Sequence, residues 1–444
     1  MDKRKIVVLG AGESGTGAAI LAHDKGMDVF LSDYGTVAPR YAAMLDAEGI
    51  GWEQGGHSMD RILAADEIVK SPGIADSTPV MKAVRERGIP VVSEIELAAR
   101  YFPEGTRTVC ITGSNGKTTT TMLTHHILRR AGIDASEAGN IGRSLALQVA
   151  REPHDVYVIE LSSFQLDNMY DFRADTAIIT NITPDHLDRY DYKMENYVAA
   201  KMRILQNMRP CDTFISWADD PVVALRSELQ ATQARRLEFA IGKAADAFIG
   251  ADGKLMLCGS ELMAAAELSL PGDHNRLNSM AAALAASSMG ASREAIAEGL
   301  RTFAPVEHRL EPAGTVDGVR WINDSKATNV NSCFYALGAM TTPTVLILGG
   351  KDKGNDYSEI LPLVREKVKA IVAMGLHNEK IVEFFSPYVA VESTHTLADA
   401  VTACRRVAAA GDTVLLSPCC ASFDLFKSYE DRGRQFKAMV KNLS

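Results

Sequence analysis

The segment "ITGSNGKTTTT", residues 111–121, contains the residue types of a phosphate-binding loop. An apolar strand leads into it, and Gly116, Lys117 and Thr118 open a helix that has an apolar side. Backbone amides of such a loop can surround phosphates, the lysine can neutralise phosphate oxygens, and the threonine hydroxyl can ligate Mg²⁺. Ile111 stands where the common loop has its first glycine, so the spacing here is G-x-x-G-K-T. A polar turn with a helix cap would not explain this glycine-lysine-threonine sequence after a buried strand.

Acidic and imidazole side chains follow the next two candidate strands. Glu160 ends "VYVIEL", and Asp185, His186 and Asp188 come just after "TAIITN". Each residue alone could be a helix cap or a turn residue. Because the carboxyl ends of parallel strands meet at one edge of a sheet, we expect these groups beside the phosphate loop, where a carboxylate can hold magnesium.

A second glycine-rich loop lies near the N-terminus. Gly10, Gly12 and Gly15 form a G-x-G-x-x-G pattern between a strand and a helix, and Asp33 ends the next strand. In such a fingerprint the glycines allow close backbone approach, the helix N-terminus receives phosphate, and the acid contacts a ribose hydroxyl. The pattern favours a ligand that contains a diphosphate, although it does not specify NAD. A tight strand-to-helix turn without a ligand is the alternative.

Lys201 lies in an apolar helical setting. In "YVAAKMRIL" its neighbours at helical spacing are Tyr197 and Val198 before it and Ile204 and Leu205 after it. The ordinary explanation is a long side chain that extends its ammonium group into water, because burying an unpaired ammonium group is expensive. A functional explanation requires a partner that the segment itself does not supply.

Composition excludes several classes of protein. The chain has 444 residues and a net charge of −9, which argues against a general nucleic-acid or membrane-surface role. Its seven cysteines are scattered without C-x-x-C spacing, which favours reduced thiols over disulfides or a zinc site. No apolar run approaches the length of a membrane span, and the N-terminal run is too short for a signal peptide. We therefore predict a cytoplasmic protein without a membrane or nucleic-acid partner.

Short β-branched runs alternate with amphipathic stretches along the whole chain, a pattern typical of α/β layers with parallel sheets. The runs form three sets that begin at "KIVVLG", "TVCITG" and "VRWIND". At about 150 residues per domain, the length also favours three domains. We place these domains at residues 1–95, 96–305 and 306–444.

A set of motifs along nearly the whole chain resembles the Mur ligase family. These motifs are "GSNGKTT", "GNIG", "ELSSFQL", "DHLDRY", "AAKMRI", "PGDHNRLN", "HRLE", "NDSKATN" and "SPCCASFDLF", and they occur in the family's order. The resemblance implies a Rossmann-like UDP-binding domain, a central P-loop ATPase-type domain with a parallel sheet, and a C-terminal Rossmann-like domain that brings the incoming amino acid.

The resemblance also implies a reaction. An ATP-dependent carboxylate-amine ligase of this kind adds D-glutamate to UDP-N-acetylmuramoyl-L-alanine through an acyl phosphate, in peptidoglycan precursor synthesis for the cell wall. It implies ATP and two Mg²⁺ ions, a carbamate formed from CO₂ on Lys201, and a monomer. Carbamylation would turn an unpaired buried amine into an anionic oxygen ligand suited to magnesium, because burial lowers the pKa of a lysine.

Site residues are carried over by matching motifs. The implied catalytic residues are Lys117, Glu160, His186 and Lys201, and the implied magnesium ligands are Thr118, Glu160, His186 and Lys201. The implied ATP-binding residues are Gly113, Ser114, Asn115, Gly116, Lys117, Thr118, Thr119, Asn275, Arg309 and Asp324, with Asn278 in support.

The two other substrates have their own implied contacts. For the nucleotide-sugar they are Gly12, Glu13, Ser14, Asp33, Ser71, Gly73, Asn140 and His186. For D-glutamate they are Lys326, Thr328, Lys353, Ser422, Phe423 and Tyr429, with Lys351 of the same "GGKDKG" segment as the alternative to Lys353. Tyr34 and Gly35 stand where the best-known pattern has Thr-Arg, so the uracil and diphosphate contacts made by that pair are not carried over.

Two other classes of protein share part of the pattern. A dehydrogenase would account for the N-terminal glycine loop, but it leaves "GSNGKTT" and the acidic strand end unexplained. A P-loop switch or motor would account for the phosphate loop, and it predicts hydrolysis that responds to a protein or nucleic-acid partner. The nearest alternative is a related ATP-dependent ligase, of the Mur or folylpolyglutamate synthase type, that uses another amino acid.

Overall fold

The structure is a computed structural model that describes residues 3–226, 228–304, 307–352 and 354–443. It divides into two compact units, of which the first comprises Met1–Leu268 and Leu277–Thr302 and the second comprises Ser269–Arg276 and Phe303–Ser444. The strands of the described residues form three sheets, which confirms the predicted three-part α/β architecture. The boundary predicted between residues 95 and 96 stays a prediction, and the one between 305 and 306 lies outside the described residues.

The N-terminal sheet of the first unit consists of β1 (Lys5–Leu9), β2 (Asp28–Asp33), β3 (Gly51–Gln54), β4 (Glu67–Lys70) and β5 (Val91–Val92). It is parallel throughout, in the order β3-β2-β1-β4-β5. The middle strand β1 is apolar and buried after its first residue, as expected of a strand covered on both faces. The helices are α1 (Glu13–Asp24), α2 (Pro39–Ala47), α3 (Met59–Leu63), α4 (Pro79–Glu86) and α5 (Glu94–Ala99).

The second sheet also belongs to the first unit. Its strands are β6 (Arg107–Thr112), β7 (Ala135–Gly139), β8 (Val156–Glu160), β9 (Thr176–Ile179), β10 (Thr213–Trp217), β11 (Arg235–Ile241), β12 (Ala247–Ile249), β13 (Lys254–Leu257) and β14 (Ser260–Ala264). Their order is β14-β13-β12-β11-β10-β9-β6-β8-β7. Strands β6 to β12 pair in parallel, as predicted, whereas β13 and β14 form an antiparallel edge that the sequence analysis did not predict.

Helices of the central part of the chain follow the same alternation with strands. They are α6 (Lys117–Arg130), α7 (Leu145–Arg151), α8 (Ser163–Leu166), α9 (Met194–Met202), α10 (Glu228–Ala231), α11 (Asp273–Ser288) and α12 (Arg293–Thr302). Short 3₁₀ helices lie at Leu187–Arg189, Arg203–Leu205, Val223–Leu225 and Ala265–Glu267. Strand β6 lies between β8 and β9, so the three strand ends that carry the predicted site residues are neighbours in the sheet.

The second unit contains the third sheet. Its strands are β15 (Glu311–Val316), β16 (Val319–Asn323), β17 (Thr344–Leu348), β18 (Val368–Met374), β19 (Ala390–Thr394) and β20 (Thr413–Leu416), in the order β15-β16-β20-β17-β18-β19. Only β15 is antiparallel to its neighbour in the described sheet. The helices are α13 (Val330–Gly338), α14 (Leu361–Lys367), α15 (Glu379–Phe385), α16 (Leu397–Val407) and α17 (Tyr429–Lys441), with a 3₁₀ helix at Tyr357–Glu359. No helix within the described ranges is both long and apolar enough to cross a bilayer.

Helix α6, which follows the phosphate loop, packs closely against α12. A Cβ atom added at Gly299 of α12 would lie 2.6 Å from Cγ1 and 3.2 Å from Cα of Ile127 in α6. Cγ1 of the branched Ile127 side chain would have to move to admit a Cβ, and the nearby Cα leaves little room for that, so the close packing favours glycine here.

Gly299→Ala should therefore destabilise the protein, by roughly 1–3 kcal/mol as is typical of overpacking. Gly56→Ala is the matched control, since a Cβ at Gly56 would have no atom within 4 Å. Urea unfolding of the two variants beside the wild type measures the difference. Equal midpoints for Gly299→Ala and the wild type would show that α6 and α12 are less closely packed than described.

Candidate functional site

The phosphate loop between β6 and α6 depends on two glycines with left-handed backbone conformations. Gly113 has a φ of +141°, and a Cβ there would lie 2.0 Å from the Thr180 hydroxyl oxygen. Gly116 has a φ of +83°, and its Cβ would lie 2.3 Å from Oδ1 of Asn278. A side chain at either position would be strained by the backbone and would collide with its neighbour. The turn thus explains both glycines before any ligand is considered.

Polar contacts with the segment after β9 fix the shape of this loop from inside. The Ser114 hydroxyl donates to the Thr183 carbonyl at 2.7 Å and accepts from the Thr183 amide at 2.9 Å. The Asn181 side chain accepts from the Asn115 amide at 3.0 Å and donates to the Asn115 carbonyl at 3.1 Å. The Ser114 amide donates to the Asn181 carbonyl at 2.8 Å. Two loop amides, those of Ser114 and Asn115, are therefore used within the protein.

Lys117 and Lys201 meet at a single backbone oxygen. Nζ of Lys117 lies 2.8 Å from the Gly113 carbonyl oxygen, and Nζ of Lys201 lies 2.7 Å from the same atom. Lys201 is only 2% exposed, so its side chain does not extend into water as the ordinary explanation requires. Burial, and then the nearby Lys117 charge, lower the pKa of Lys201 well below its usual value. The two predicted catalytic lysines thus form one cluster, in which burial and the neighbouring cation both disfavour the charged form of Lys201.

Acidic groups complete this cluster. Glu160, at the end of β8, and Asp185 both act electrostatically on Lys201 and favour its charged form. Oε1 of Glu160 accepts from the Asn140 side-chain amide at 2.9 Å, whereas Oε2 is buried and has no hydrogen-bond partner among the described residues. A buried carboxylate oxygen without a donor is costly unless a cation binds it. Thr118 is buried in the first turn of α6, and Thr119 is buried beside it in the chain.

His186 lies on the turn after β9, in an unusual backbone conformation. Its φ is +53°, in the left-handed region that residues other than glycine seldom adopt. Its ring packs edge-on against Phe164, with centroids 5.3 Å apart, and its Nε2 lies 3.8 Å from a carboxylate oxygen of Asp185. The guanidinium of Arg189 covers the Phe164 ring at 4.3 Å. The strained turn presents the half-exposed imidazole next to the acid that faces Lys201.

The N-terminal glycine loop is held by its own acid. Asp33 accepts from the Ala11 amide at 2.6 Å through Oδ2 and from the Gly35 amide at 2.7 Å through Oδ1. This carboxylate therefore shapes the loop, in addition to the ribose contact predicted for it. Gly12 is the exposed N-cap of α1, and Oε2 of Glu13 accepts from the Tyr41 hydroxyl at 3.1 Å. Half-buried Ser14 follows in the first turn of α1.

The "SPG" segment follows β4 beside this glycine loop. The Ser71 amide donates to the Leu9 carbonyl at 3.0 Å, and a Cβ at Gly10 would lie 2.6 Å from the Ser71 hydroxyl oxygen. Gly73 is exposed at the end of the segment. Asn140 is predicted to contact the nucleotide-sugar, and its side chain donates to Glu160, which is a predicted magnesium ligand.

The second unit gathers its own set of predicted residues around the end of β16. Asp324 is 6% exposed, and it accepts from the Ser417 hydroxyl at 2.8 Å and from the Leu310 amide at 3.2 Å. Burial raises the pKa of Asp324 to about 7, although Ser417 and the Arg309 charge oppose the shift. The ammonium group of Lys326 lies 5.3 Å from the centre of the Tyr429 ring, a cation–π contact. Two residues beyond Lys326, the half-buried Thr328 donates its amide to the Lys326 carbonyl at 2.9 Å.

The remaining predicted residues of this unit differ in exposure. Ser422 is 1% exposed, and its hydroxyl oxygen has no partner in the described structure, whereas Phe423 is 68% exposed. The Asn275 side chain donates to the Pro271 carbonyl at 2.8 Å. Lys353 lies outside the described residues. An unpartnered buried hydroxyl beside an exposed aromatic ring is consistent with a ligand contact at this loop.

Sequence reasoning missed several residues that shape the first-unit site. Tyr197 packs its ring under the ammonium group of Lys201 at 4.6 Å, and its hydroxyl lies 3.1 Å from that of Ser114. The helical spacing identifies Tyr197 only as an apolar neighbour of Lys201 and does not indicate these two contacts. Asn181 and Thr183, which hold the loop, lie in "NITPD" and carry no recognisable motif spacing. Their role comes from the pairing of β6 with β9, which no local pattern reveals.

Two clusters of acidic and imidazole groups in the described residues could in principle hold a metal: His23 with Asp24 and Glu48, and Glu307 with His308 and Glu311. In each cluster the carboxylates already face a basic side chain. Arg151 pairs with Asp24 and Glu48, and Lys437 pairs with Glu307 and Glu311. Because these carboxylates already form ion pairs, we do not predict a metal site at either cluster.

Comparison with known proteins gives matches along the whole chain. Three domain families match: a Mur ligase MurD-like N-terminal domain at residues 4–93, a Mur ligase middle domain at 111–286, and a Mur ligase glutamate ligase domain at 308–420. The chain is 54% identical to the UDP-N-acetylmuramoylalanine--D-glutamate ligase of Bacteroides fragilis, over 99% of this chain and 100% of that protein. It is 52% identical to the enzyme of the same name from Porphyromonas gingivalis, over the full length of both chains.

A solved structure shows the same fold at much lower identity. The UDP-N-acetylmuramate-alanine ligase MurC of Thermotoga maritima superposes with a TM-score of 0.63 at 19% identity, over 100% of both chains. From the matched domains and from relatives that share more than half of its residues, we conclude that this chain belongs to the Mur ligase family.

Proposed function

We propose that this chain catalyses the ATP-dependent addition of D-glutamate to UDP-N-acetylmuramoyl-L-alanine, a step of peptidoglycan synthesis. The observation that carries the proposal is the 54% identity, over 99% of the chain, with a ligase of that specificity. The lysine and carboxylate cluster of the first unit supports it, because it has the charges that a reaction at a triphosphate requires.

The first step makes a poor electrophile reactive. The terminal carboxylate of UDP-N-acetylmuramoyl-L-alanine attacks the γ-phosphorus of ATP, so that ADP leaves and an acyl phosphate forms. Lys117 neutralises charge on the transferring phosphoryl group, while amides at the start of α6 and the side chains of Thr118 and Thr119 hold the phosphates. The chain contributes mainly position and charge, since phosphoryl transfer needs little covalent help.

The buried Oε2 of Glu160 is an argument for a divalent-cation site beside the phosphate loop. Its Oε2 has no donor within the part of the chain that the structure describes, and Thr118 and Glu160 together offer the oxygen ligands that Mg²⁺ prefers. His186 and a carbamylated Lys201 would hold a second ion. Bound magnesium would neutralise the negative charge that crowds around the phosphates and the attacking carboxylate.

Lys201 fits carbamylation better than it fits a permanent ammonium group. Its amine is buried, its pKa is lowered, and it lies beside the cation Lys117. A neutral amine can add CO₂ and lose a proton, which yields an anion. The new negative charge would lie next to Lys117, so a repulsive pair of cations would become an attractive pair of opposite charges.

The second step forms the new amide. The amine of D-glutamate attacks the acyl-phosphate carbonyl, and the tetrahedral intermediate then collapses and expels phosphate. We assign recognition of D-glutamate to Lys326, Thr328, Lys353, Ser422, Phe423 and Tyr429 of the C-terminal part. A dicarboxylic substrate calls for cations and hydroxyl donors, which these residues supply. Asn275, Arg309 and Asp324 are assigned to ATP.

The nucleotide-sugar is assigned to the other end of the first unit. Gly12, Glu13 and Ser14 form the N-terminus of α1, where backbone amides and the helix dipole favour a diphosphate. Asp33, Ser71 and Gly73 lie on the adjoining loops, and Asn140 and His186 extend the contact surface towards the reacting carboxylate.

The amino-acid specificity can be tested directly. Purified protein with ATP and Mg²⁺ should release phosphate only when UDP-N-acetylmuramoyl-L-alanine and D-glutamate are both present. A screen of other amino acids should give rates near the background, and Lys117→Ala should give no turnover with any of them because the phosphate charge is not neutralised. A preference for L-alanine or a diamino acid would instead favour a related ligase, and NADH-dependent chemistry would favour a dehydrogenase.

Carbamylation of Lys201 has a separate test. Lys201→Ala should lower kcat by at least about a hundredfold, as the loss of one charged contact typically does. Short carboxylic acids such as formate or acetate should restore part of kcat, because their carboxylates can occupy the space of the missing group.

Lys193→Ala is the matched control, since Lys193 is the exposed N-cap of the same helix, α9. Its kcat should equal that of the wild type and should not respond to added carboxylates. Wild-type turnover in Lys201→Ala, or the absence of any rescue, would rule out the carbamate.

A further inference from the structure

We propose that Glu94 is a positioning residue that fixes the loop 139–144, and through it the nucleotide-sugar site. The loop contains Asn140, assigned above to the nucleotide-sugar, and ends at Ser144, which Glu94 binds. This inference rests on the proposed function, and it assigns Glu94 no contact with any substrate.

Glu94 begins α5 and is 2% exposed. Its Oε1 accepts from the Ser144 hydroxyl at 2.7 Å and from the Ala146 amide at 2.6 Å. Ser144 is the N-cap of α7, and its oxygen accepts from the Leu147 amide at 3.1 Å. The carboxyl group thus fixes the direction of the capping hydroxyl and holds the first turn of α7 against α5.

Helix α1 closes the opposite side of Ser144. A Cβ at Gly17 of α1 would lie 2.0 Å from the Ser144 hydroxyl oxygen and 2.8 Å from its Cβ. At the start of α1, Oε1 of Glu13 lies 3.5 Å from the Ser144 amide nitrogen, which donates to it. Ser144 is therefore enclosed between the helix that follows the N-terminal glycine loop and the helix that contains Glu94.

The other end of the loop is hydrogen-bonded to Glu160, the predicted magnesium ligand. The Gly139 amide donates to the Arg143 carbonyl at 2.8 Å, which closes the loop. Asn140 donates its backbone amide to the Glu160 carbonyl at 2.9 Å and its side-chain amide to Oε1 of Glu160 at 2.9 Å. A shift of Ser144 would move Asn140 relative to Glu13 on one side and Glu160 on the other.

One oxygen of the Glu94 carboxyl group is left over from this capping network. Among the described residues Oε2 of Glu94 is buried and has no hydrogen-bond partner, and burial raises the pKa of Glu94 to about 7. Leaving a buried carboxylate oxygen unpaired costs stability, so the contacts of Oε1 with Ser144 and Ala146 come with an energetic cost. Local rules of this kind are broken mainly at functional sites, where the geometry they enforce is useful.

The test compares Michaelis constants of the full chain. Glu94→Ala should raise KM for UDP-N-acetylmuramoyl-L-alanine about tenfold or more, the effect of a small displacement of binding groups. KM for ATP should stay within about twofold, because the phosphate loop is held by other contacts. Glu94→Gln should remain within about threefold of the wild type for both substrates, since its amide oxygen keeps the acceptor.

Glu96→Ala is the matched control on the same helix. Glu96 is also buried, and it accepts from the amides of Tyr170, Asp171 and Phe172 at 3.0 to 3.1 Å, away from loop 139–144. Its loss should reduce stability and leave both KM values unchanged. An unchanged nucleotide-sugar KM in Glu94→Ala, or an equal rise in Glu96→Ala, would overturn the proposal.

Two further measurements separate a failure of the Glu94 proposal from misfolding of the variant and from a failure of the proposed function. If Glu94→Ala does not fold, Ser144→Ala replaces it, and the same selective rise in KM is expected because the hydroxyl that Glu94 holds is gone. Calorimetric binding of UDP-N-acetylmuramoyl-L-alanine to the wild type, without ATP or D-glutamate, tests the proposed function on its own. Wild-type binding and turnover together with a normal KM in the variants would overturn only the role of Glu94.

Discussion

Two ammonium groups aimed at one carbonyl oxygen set the electrostatic problem of the first unit. Lys117 and Lys201 both donate to the oxygen of Gly113, and Lys201 is almost fully buried. Burial, and then the repulsion between two like charges this close, lower the pKa of Lys201. The carboxylates of Glu160 and Asp185 act in the opposite direction and favour its charged form. The two lysines thus lie in a dense group of charged side chains, to which the proposed phosphates, carbamate and magnesium ions would add further charges.

Parallel strands and a few side-chain anchors hold this centre in place. Strands β8, β6 and β9 are neighbours, so Glu160, the phosphate loop and the His186 turn end at one edge of the sheet. Loop 139–144 extends this order towards the N-terminal glycine loop, since Asn140 binds Glu160 and the Ser144 amide binds Glu13 at the start of α1. One short loop thus contacts both a predicted magnesium ligand and a residue predicted to bind the nucleotide-sugar.

The strongest sequence signals were those with a strict backbone requirement. Gly113 and Gly116 were recognisable because a left-handed backbone and close neighbours permit only glycine there. The apolar strands β1 and β6 are evident in the sequence because they are buried on both faces. Strands β13 and β14 escaped prediction because short antiparallel edges with polar residues resemble loops. Asp33 accepts from two backbone amides, and the Asn181 side chain binds both the backbone amide and the carbonyl of Asn115. Most of these contacts join segments that are distant in sequence, so a linear pattern does not reveal them.

The wide spacing in sequence of the contacts around the phosphate loop has a consequence for biosynthesis. Gly113 is fitted against Thr180, and Gly116 is fitted against Asn278, far downstream. During translation the loop emerges long before these neighbours, and contacts between distant segments form late in folding. A nascent chain that ends before residue 278 therefore lacks Asn278, one of the two side chains against which the glycines of the phosphate loop are fitted. The complete packing of this loop can form only after more than half of the 444 residues have been synthesised.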